Sequence, residues 1–305
     1  MAAAPSADAL AAIPPLAALD WAVHIVEGRK LLAVEPLRGG MSHANHRLRI
    51  AGRAWSIDVV LRRAGRADWL ADDPEHSPRQ EIATYGLLAT SDVPAPRLLG
   101  ADPRPDVCDV PALLLTHVPG RPVLRPRDMP AFLRGLADAL PRVHAVDPAA
   151  AEAAVPPFRP FYRRDQLRPP AWTRHPELWE RAIEHLDEAA THSARFIHRD
   201  YHPANALWAG GRLAAIVDWT LASFGPPEFD LAHMRANLAL LYSNDAANAF
   251  IRAYGAVSTV SDYDPRWDLR AALDWVPELT PGSAPAAGLL RLEQLVSRAL
   301  ADIGG

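Results

Sequence analysis

The sequence predicts an α+β fold in two parts, residues 1–117 and residues 118–305. Three observations carry this reading. Strand-like runs recur between Val34 and Val118, broken by a single helical segment. From Met129 onward apolar residues fall at helical spacing, first at 129, 132, 133, 136, 140 and 143. Between helical segments of the second part lies a strand, a polar loop, a second strand, a turn and a third strand, from Phe196 to Trp219. The expectation is a small N-terminal antiparallel sheet lobe with one helix and a larger, mainly helical C-terminal lobe.

Taken in order, residues 1–18 read as a loose Ala/Pro leader, and a short helix is expected from about Asp20 to Gly28. Two strand-like runs between Val34 and Ile50 flank Gly39-Gly40-Met41-Ser42. Ala54–Arg63 is a third strand, whose alternation puts Val60 and Arg62 on one face and Leu61 and Arg63 on the other. Residues 64–77 are a polar connector. Pro78–Leu88 is a helix with Glu81 in its first turn, where the helix dipole favours an acid. Val93–Gly100 and Val110–Gly120 are the last strands of the first part, the second closing in a Pro-Gly turn.

In the second part, Met129–Val146 is an amphipathic helix, with Pro141 a point where it can kink and His144 a packed core histidine. A Pro-rich, basic stretch at 147–175 precedes a helix at 176–186. Phe224–Leu241 is a loop running into a buried helix with Asp230 near its start. Helices follow at 245–254, 265–276 and 286–302.

A net charge of −4 and a pI near 6.3 leave no electrostatic footprint for nucleic acid, and no apolar run reaches the length of a membrane span. The expected partner is a small molecule. The Ala-rich start carries Asp8 and lacks a basic region, so no signal peptide is expected. With Cys108 alone no internal disulfide can form, which places the chain in the reducing cytoplasm.

Phe196-Ile-His-Arg-Asp-Tyr-His-Pro-Ala-Asn-Ala-Leu-Trp208 and Ala215-Ile-Val-Asp-Trp219 concentrate the chemistry. These residue types point to phosphoryl transfer. Asp200 is the carboxylate that orients an acceptor hydroxyl and takes its proton, while Asn205 and Asp218 are the oxygen ligands that hold Mg²⁺ on a triphosphate. Glycines at 39 and 40 let backbone N–H groups approach a phosphate, and Ser42 adds a hydroxyl. A rival reading makes His198, Asp200, His202 and Asp218 the ligands of a metal hydrolase.

The spacing of His-x-Asp, an Asn five residues after that Asp, and an Asp thirteen residues further in Ile-Val-Asp-Trp resembles the aminoglycoside phosphotransferase and choline kinase family of the protein-kinase-like fold. Asp218-Trp219-Thr220 stands where protein kinases have Asp-Phe-Gly. The resemblance covers residues 34–241. It implies a bilobal protein-kinase-like fold with ATP between the lobes and Mg²⁺ on it. The γ-phosphoryl group would pass to the hydroxyl of a small-molecule acceptor, an antibiotic or metabolite.

The resemblance also implies residue roles. His198, Asp200 and Asn205 form the catalytic loop, with Asn205 and Asp218 on the metal. Gly40, Met41, Ser42, Arg62, Glu81 and the main chain of Thr116 and Val118 hold the nucleotide. Asp230 braces the catalytic loop through its backbone. All but one of the 32 basic residues are arginine, and Lys30 precedes the glycine loop, so the family's lysine is absent. Arg62 stands in its place and Glu81 is its partner, although Arg63 remains an alternative, and a nucleotide-binding pseudokinase is the alternative function. ATP against GTP, and monomer against homodimer, stay open. Arginines outnumber acids between 151 and 176, whereas Asp262, Asp264, Asp268, Asp274 and Glu278 are interleaved with aromatics. That mixed rim leads us to expect a neutral or weakly cationic acceptor.

Overall fold

The computed structural model describes residues 12–37, 43–64, 77–188, 193–258, 263–275, 279, 282 and 284–303. The glycine loop at 39–42, with Gly40, Met41 and Ser42, and most of the expected connector lie outside the described residues. The chain divides into two compact units. The first takes Met1–Gly120, Ala154–Pro156 and Ala214–Leu221, and the second takes Arg121–Ala153, Pro157–Leu213 and Ala222–Gly305.

In the first unit, β1 (Lys30–Leu37), β2 (His43–Ala51), β3 (Ser56–Ala64), β4 (Leu98–Asp102) and β5 (Ala112–Thr116) form one sheet in the order β1-β2-β3-β5-β4. Every pairing is antiparallel. Alternation sorts its side chains. Leu48, Ile50, Val59 and Leu61 are buried with Ala18, Leu19, Trp21 and Ala22 of helix α1 (Leu16–Ile25), which closes one face of the sheet. Arg62, one residue on, turns to the other face, toward helix α2 (Pro78–Ala89). Ser77 caps α2 by accepting from the Gln80 amide, and Glu81 lies in its first turn, as expected.

Two expectations are corrected here. The first helix starts at Leu16, earlier than Asp20, and Ala18 and Leu19 are core residues of the sheet lobe, which holds two helices and not one. It stops at Ile25 because Glu27 takes a positive φ of 53° and a Cβ on Gly28 would meet Ile50 at 2.4 Å. Likewise β4 starts at Leu98 and not at Val93. Pro94 and Pro96 have no amide to donate to a ladder, and the Pro94 carbonyl instead accepts from Ile216 at 2.7 Å.

The second unit contains α3 (Met129–His144), α4 (Pro148–Ala154), α5 (Pro176–Glu184), α6 (Pro227–Leu241), α7 (Asn244–Gly255), α8 (Arg266–Trp275) and α9 (Ala286–Ile303). Helix α4 begins within the stretch read as merely Pro-rich; Asp147 caps it through the Ala150 amide at 2.7 Å, with Pro148 in the first turn. Helix α6 is buried along nearly its whole length, and α7, α8 and α9 pack on it. Strand β7 (Arg195–Ile197) pairs antiparallel with β10 (Ser223–Gly225) and delivers the chain into the loop at His198. After that loop β8 (Ala206–Ala209) neighbours both β6 (Arg121–Pro122) and β9 (Arg212–Ile216). Gly210 and Gly211, with φ of 56° and 78°, make the two-residue turn from β8 to β9, a conformation that side chains with a Cβ resist.

Candidate active site

In the first unit one guanidinium organises the candidate residues. Arg62 Nε lies 2.8 Å from Glu81 Oε1, and its Nη2 donates to Asp218 Oδ1 at 2.7 Å and to the Thr220 hydroxyl. Its Nη2 also meets His43 Nδ1 at 3.2 Å, and Nη1 reaches Asn45 Oδ1 at 3.5 Å. Register explains two of these contacts: Asn45 lies directly opposite Arg62 on β2, and His43 is two residues before it on the same face. Arg63 is on the opposite side, paired through Nε and Nη2 with Asp109. Of the two arginines, Arg62 is the one that meets Glu81 and Asp218.

Charge in this cluster is two carboxylates to one arginine. Burial works against the Arg62 charge, yet Glu81 and Asp218 outweigh it and hold its pKa above the usual arginine value. For Glu81 burial prevails over Arg62, with Asp218 adding to it, and the pKa rises. Burial and the Arg62 charge push His43 down to about 3, so its ring is neutral. Because arginine can only donate, His43 Nδ1 is the accepting nitrogen and its proton sits on Nε2.

In the second unit the centre is Asp200, whose side chain is 30% exposed. Asn205 Nδ2 donates to Asp200 Oδ2 at 2.9 Å and to its carbonyl at 3.0 Å. His202 Nε2 lies 3.5 Å from Oδ2, and His233 Nε2, from α6, lies 3.2 Å from Oδ1. Burial would raise the Asp200 pKa, but His202 and His233 overcome it and hold this carboxylate far below the usual range.

The loop carrying Asp200 is fixed from beneath. Asp230 accepts from the amides of His198 at 2.9 Å and Arg199 at 2.7 Å. Arg199 has a φ of 67°, a costly conformation for a residue with a Cβ, and these bonds help to hold it. His144 Nε2 meets the same carboxylate at 3.1 Å, and Tyr254 meets His144 Nδ1 at 3.2 Å, so His144 is a packed histidine that extends the brace. Tyr201 ties the loop to α3 through the Leu136 carbonyl at 2.8 Å.

Two of the candidate residues already have partners. His198 is wholly buried, and its Nδ1 accepts the amide of Asp200 at 3.2 Å. It shapes the loop and has no surface to offer a reacting group. Thr116 ends β5 with its amide already donated to the Arg97 carbonyl at 2.9 Å, so that N–H is not available to a base. Val118 follows the strand in irregular backbone. His43, Asn45, Thr220 and His233 are the site residues that sequence reading missed.

Asn205 and Asp218, taken each in its own unit, carry oxygen donors of the kind a hard cation takes. Asn205 directs its amide nitrogen to Asp200, which turns its amide oxygen elsewhere, and Asp218 is a carboxylate with a 25% exposed side chain. Among the described residues no group of three or more His, Cys, Asp or Glu side chains could hold a metal ion, and His202 Nδ1 accepts the Ala204 amide at 3.2 Å. This geometry does not favour the hydrolase ligand set. No helix among the described residues is long and apolar enough to cross a membrane.

Residues 33–284 match the phosphotransferase enzyme family. The chain belongs to that family. A thermostable mutant of aminoglycoside phosphotransferase APH(4)-Ia, solved as a ternary complex with AMP-PNP and hygromycin B, is 18% identical. The TM-score is 0.62, with 90% of this chain and 96% of that one covered. Macrolide 2'-phosphotransferase from Brachybacterium faecium is 19% identical, with a TM-score of 0.56 and coverage of 94% and 91%. Choline kinase from Streptococcus pneumoniae is 15% identical, with a TM-score of 0.58 and coverage of 93% and 98%. No curated protein matches the chain. The protein is thus a member of a phosphotransferase family with the α+β fold of these structures.

Proposed function

We propose that this phosphotransferase uses Mg-ATP to phosphorylate a hydroxyl of a neutral or weakly cationic small molecule. The observation that carries the reading is Asp200, an ionised, part-exposed carboxylate on a loop that Asp230 holds rigid. When bound, Mg-ATP would supply the transferable phosphoryl group and neutralise developing charge. Asp200 would orient the acceptor hydroxyl and take its proton as the hydroxyl oxygen bonds to the γ-phosphorus and the bond from that phosphorus to the departing ADP breaks. Asn205 and Asp218 are the oxygen donors to the cation. Arg62, kept in place by Glu81, His43 and Asn45, holds Asp218, and Gly40, Met41, Ser42 and the main chain near Val118 take the nucleotide.

The way the acids of α8 are used supports this acceptor class. Asp268 is bound to Arg235 at 2.9 Å, Asp274 to Arg270 at 3.3 Å, and Asp264, just before the helix, to Arg266 at 3.1 Å. Asp165, in the basic stretch, is bound to Arg163 at 2.9 Å. Carboxylates already matched by arginine have little to give a polyamine. The test is ATP turnover across a panel of neutral sugars, nucleosides, macrolides and polycationic aminoglycosides, repeated with Asp200→Asn. The neutral acceptors should give the higher kcat/KM, and the variant should lose about 10²–10⁴-fold in turnover while still binding nucleotide. Near-parental turnover by Asp200→Asn would remove the assignment.

A further inference from the structure

We propose that His233 is a positioning residue for Asp200: wedged in the core, it fixes the Oδ1 edge of the carboxylate and makes Oδ1 the oxygen that takes the acceptor's proton. The inference rests on the phosphotransfer reading above and deepens it.

His233 is 3% exposed, and neither of its ring nitrogens completes a hydrogen bond among the described residues. Its Nε2 lies 3.2 Å from Asp200 Oδ1. A buried polar ring with so little satisfaction costs free energy, and packing alone would be better served by Leu or Phe. The ring is also held still. Trp275 presses on it edge-on, with centroids 4.8 Å apart and planes at 88°, and Phe229 lies 6.0 Å away. Asp230 and His233 are one turn apart on α6, hence on one face. The residue that bonds the loop's amides and the residue that faces the loop's carboxylate are therefore rigidly linked.

The division between the two oxygens follows from donor counts. Oδ2 receives Asn205 Nδ2 at 2.9 Å and faces His202 Nε2 at 3.5 Å. His202 Nδ1 accepts from the Ala204 amide, so the proton of a neutral His202 sits on Nε2, toward Asp200. Two donors match the two lone pairs of Oδ2. Among the described residues Oδ1 faces His233, which leaves a lone pair for the acceptor hydroxyl. A carboxylate held at both edges cannot rotate, and a misplacement of about 1 Å in such a group can cost about 10²-fold in rate.

The experiment compares the parent, His233→Leu, His233→Gln, Asp200→Asn and the double variant Asp200→Asn with His233→Leu, using Mg-ATP and whichever panel acceptor turns over best. His233→Leu should lower kcat by about 10- to 100-fold with KM for ATP unchanged and Tm within a few degrees of the parent. His233→Gln, whose amide nitrogen can stand near the position of Nε2, should recover part of the loss, and it tests the proposal even if His233→Leu does not fold. In the Asp200→Asn background His233→Leu should cost nothing further. Parental kcat in His233→Leu, no recovery in His233→Gln, or an equal loss in both backgrounds would overturn the proposal. A parent that turns over no Mg-ATP with any acceptor would overturn the phosphotransfer reading first, and this proposal with it.

Discussion

Glu81 and Asp200 are site carboxylates under the same pressure, since burial raises the pKa of both, yet they end on opposite sides of the ordinary value. Glu81 shares its one cation with Asp218, so two anions divide one arginine and burial prevails. Asp200 is a single anion with imidazole and amide donors around it, and those donors prevail. The difference teaches how each region treats its charge. Among the described residues the first sets two carboxylates against one arginine, a balance that the cation we propose would relieve; the second holds its carboxylate ionised, as the base we propose requires.

Breaking the first region should have the largest effect. Asp218→Ala removes the anion that we assign to the metal and leaves Arg62 and Glu81 as a one-to-one pair. Turnover of Mg-ATP should fall by about 10³-fold or more, with little change in Tm. Activity measured against Mg²⁺ concentration checks this. A parental Mg²⁺ dependence would show that the charge deficit around Arg62 is not a metal site.

A smaller effect sharpens the same comparison by asking which arginine belongs to it. Arg62→Ala should raise KM for ATP and lower kcat, each by about tenfold, because a charge-assisted contact contributes about 1.5–3 kcal/mol. Arg62→Lys should be milder, since it keeps the charge and loses the fork of donors. Arg63→Ala breaks the contact with Asp109 and should lower Tm while leaving KM for ATP alone. Steady-state kinetics and thermal melts on the three variants decide it, and the reverse ranking would move the nucleotide to the other face of β3.

How much of this was legible in the sequence depended on how local the cause was. Helix α3 follows from the spacing of Met129, Phe132, Leu133, Leu136, Leu140 and Val143, and it spans residues 129–144. Asp200, Asn205 and Asp218 come from residue type and spacing along the chain, and Arg62 from the family resemblance, with strand alternation setting it and Arg63 on opposite faces. Their partners do not. His43 and Asn45 reach Arg62 through the register of β2 on β3, which sequence alone leaves open. His233 had a signal, its place one turn after Asp230, but its meaning depends on where α6 packs. Helix α4 was hidden inside a stretch legible only as Pro-rich and basic, where Asp147-Pro148 is a cap followed by a first-turn proline.

The smallest predicted effect tests the comparison most directly, through stability against pH in the absence of metal and nucleotide. Asp200 has a folded pKa below its unfolded value of about 3.9. Its contribution is fully present above about pH 4 and declines as pH falls further, because the unfolded chain then binds a proton that the folded one refuses. Glu81 has a folded pKa above its unfolded value of about 4.3. As pH rises past about 4 the unfolded chain releases that proton first, so its contribution declines toward neutral pH. The stability of the parent minus that of Asp200→Asn should therefore climb with pH and level off near pH 4, while the parent minus Glu81→Gln should fall above it. Neither slope can exceed about 1.4 kcal/mol per pH unit for one proton. Denaturant midpoints for the parent and both variants between pH 3 and pH 7 measure the two curves, and slopes of the same sign would mean that these carboxylates do not differ as their neighbours imply.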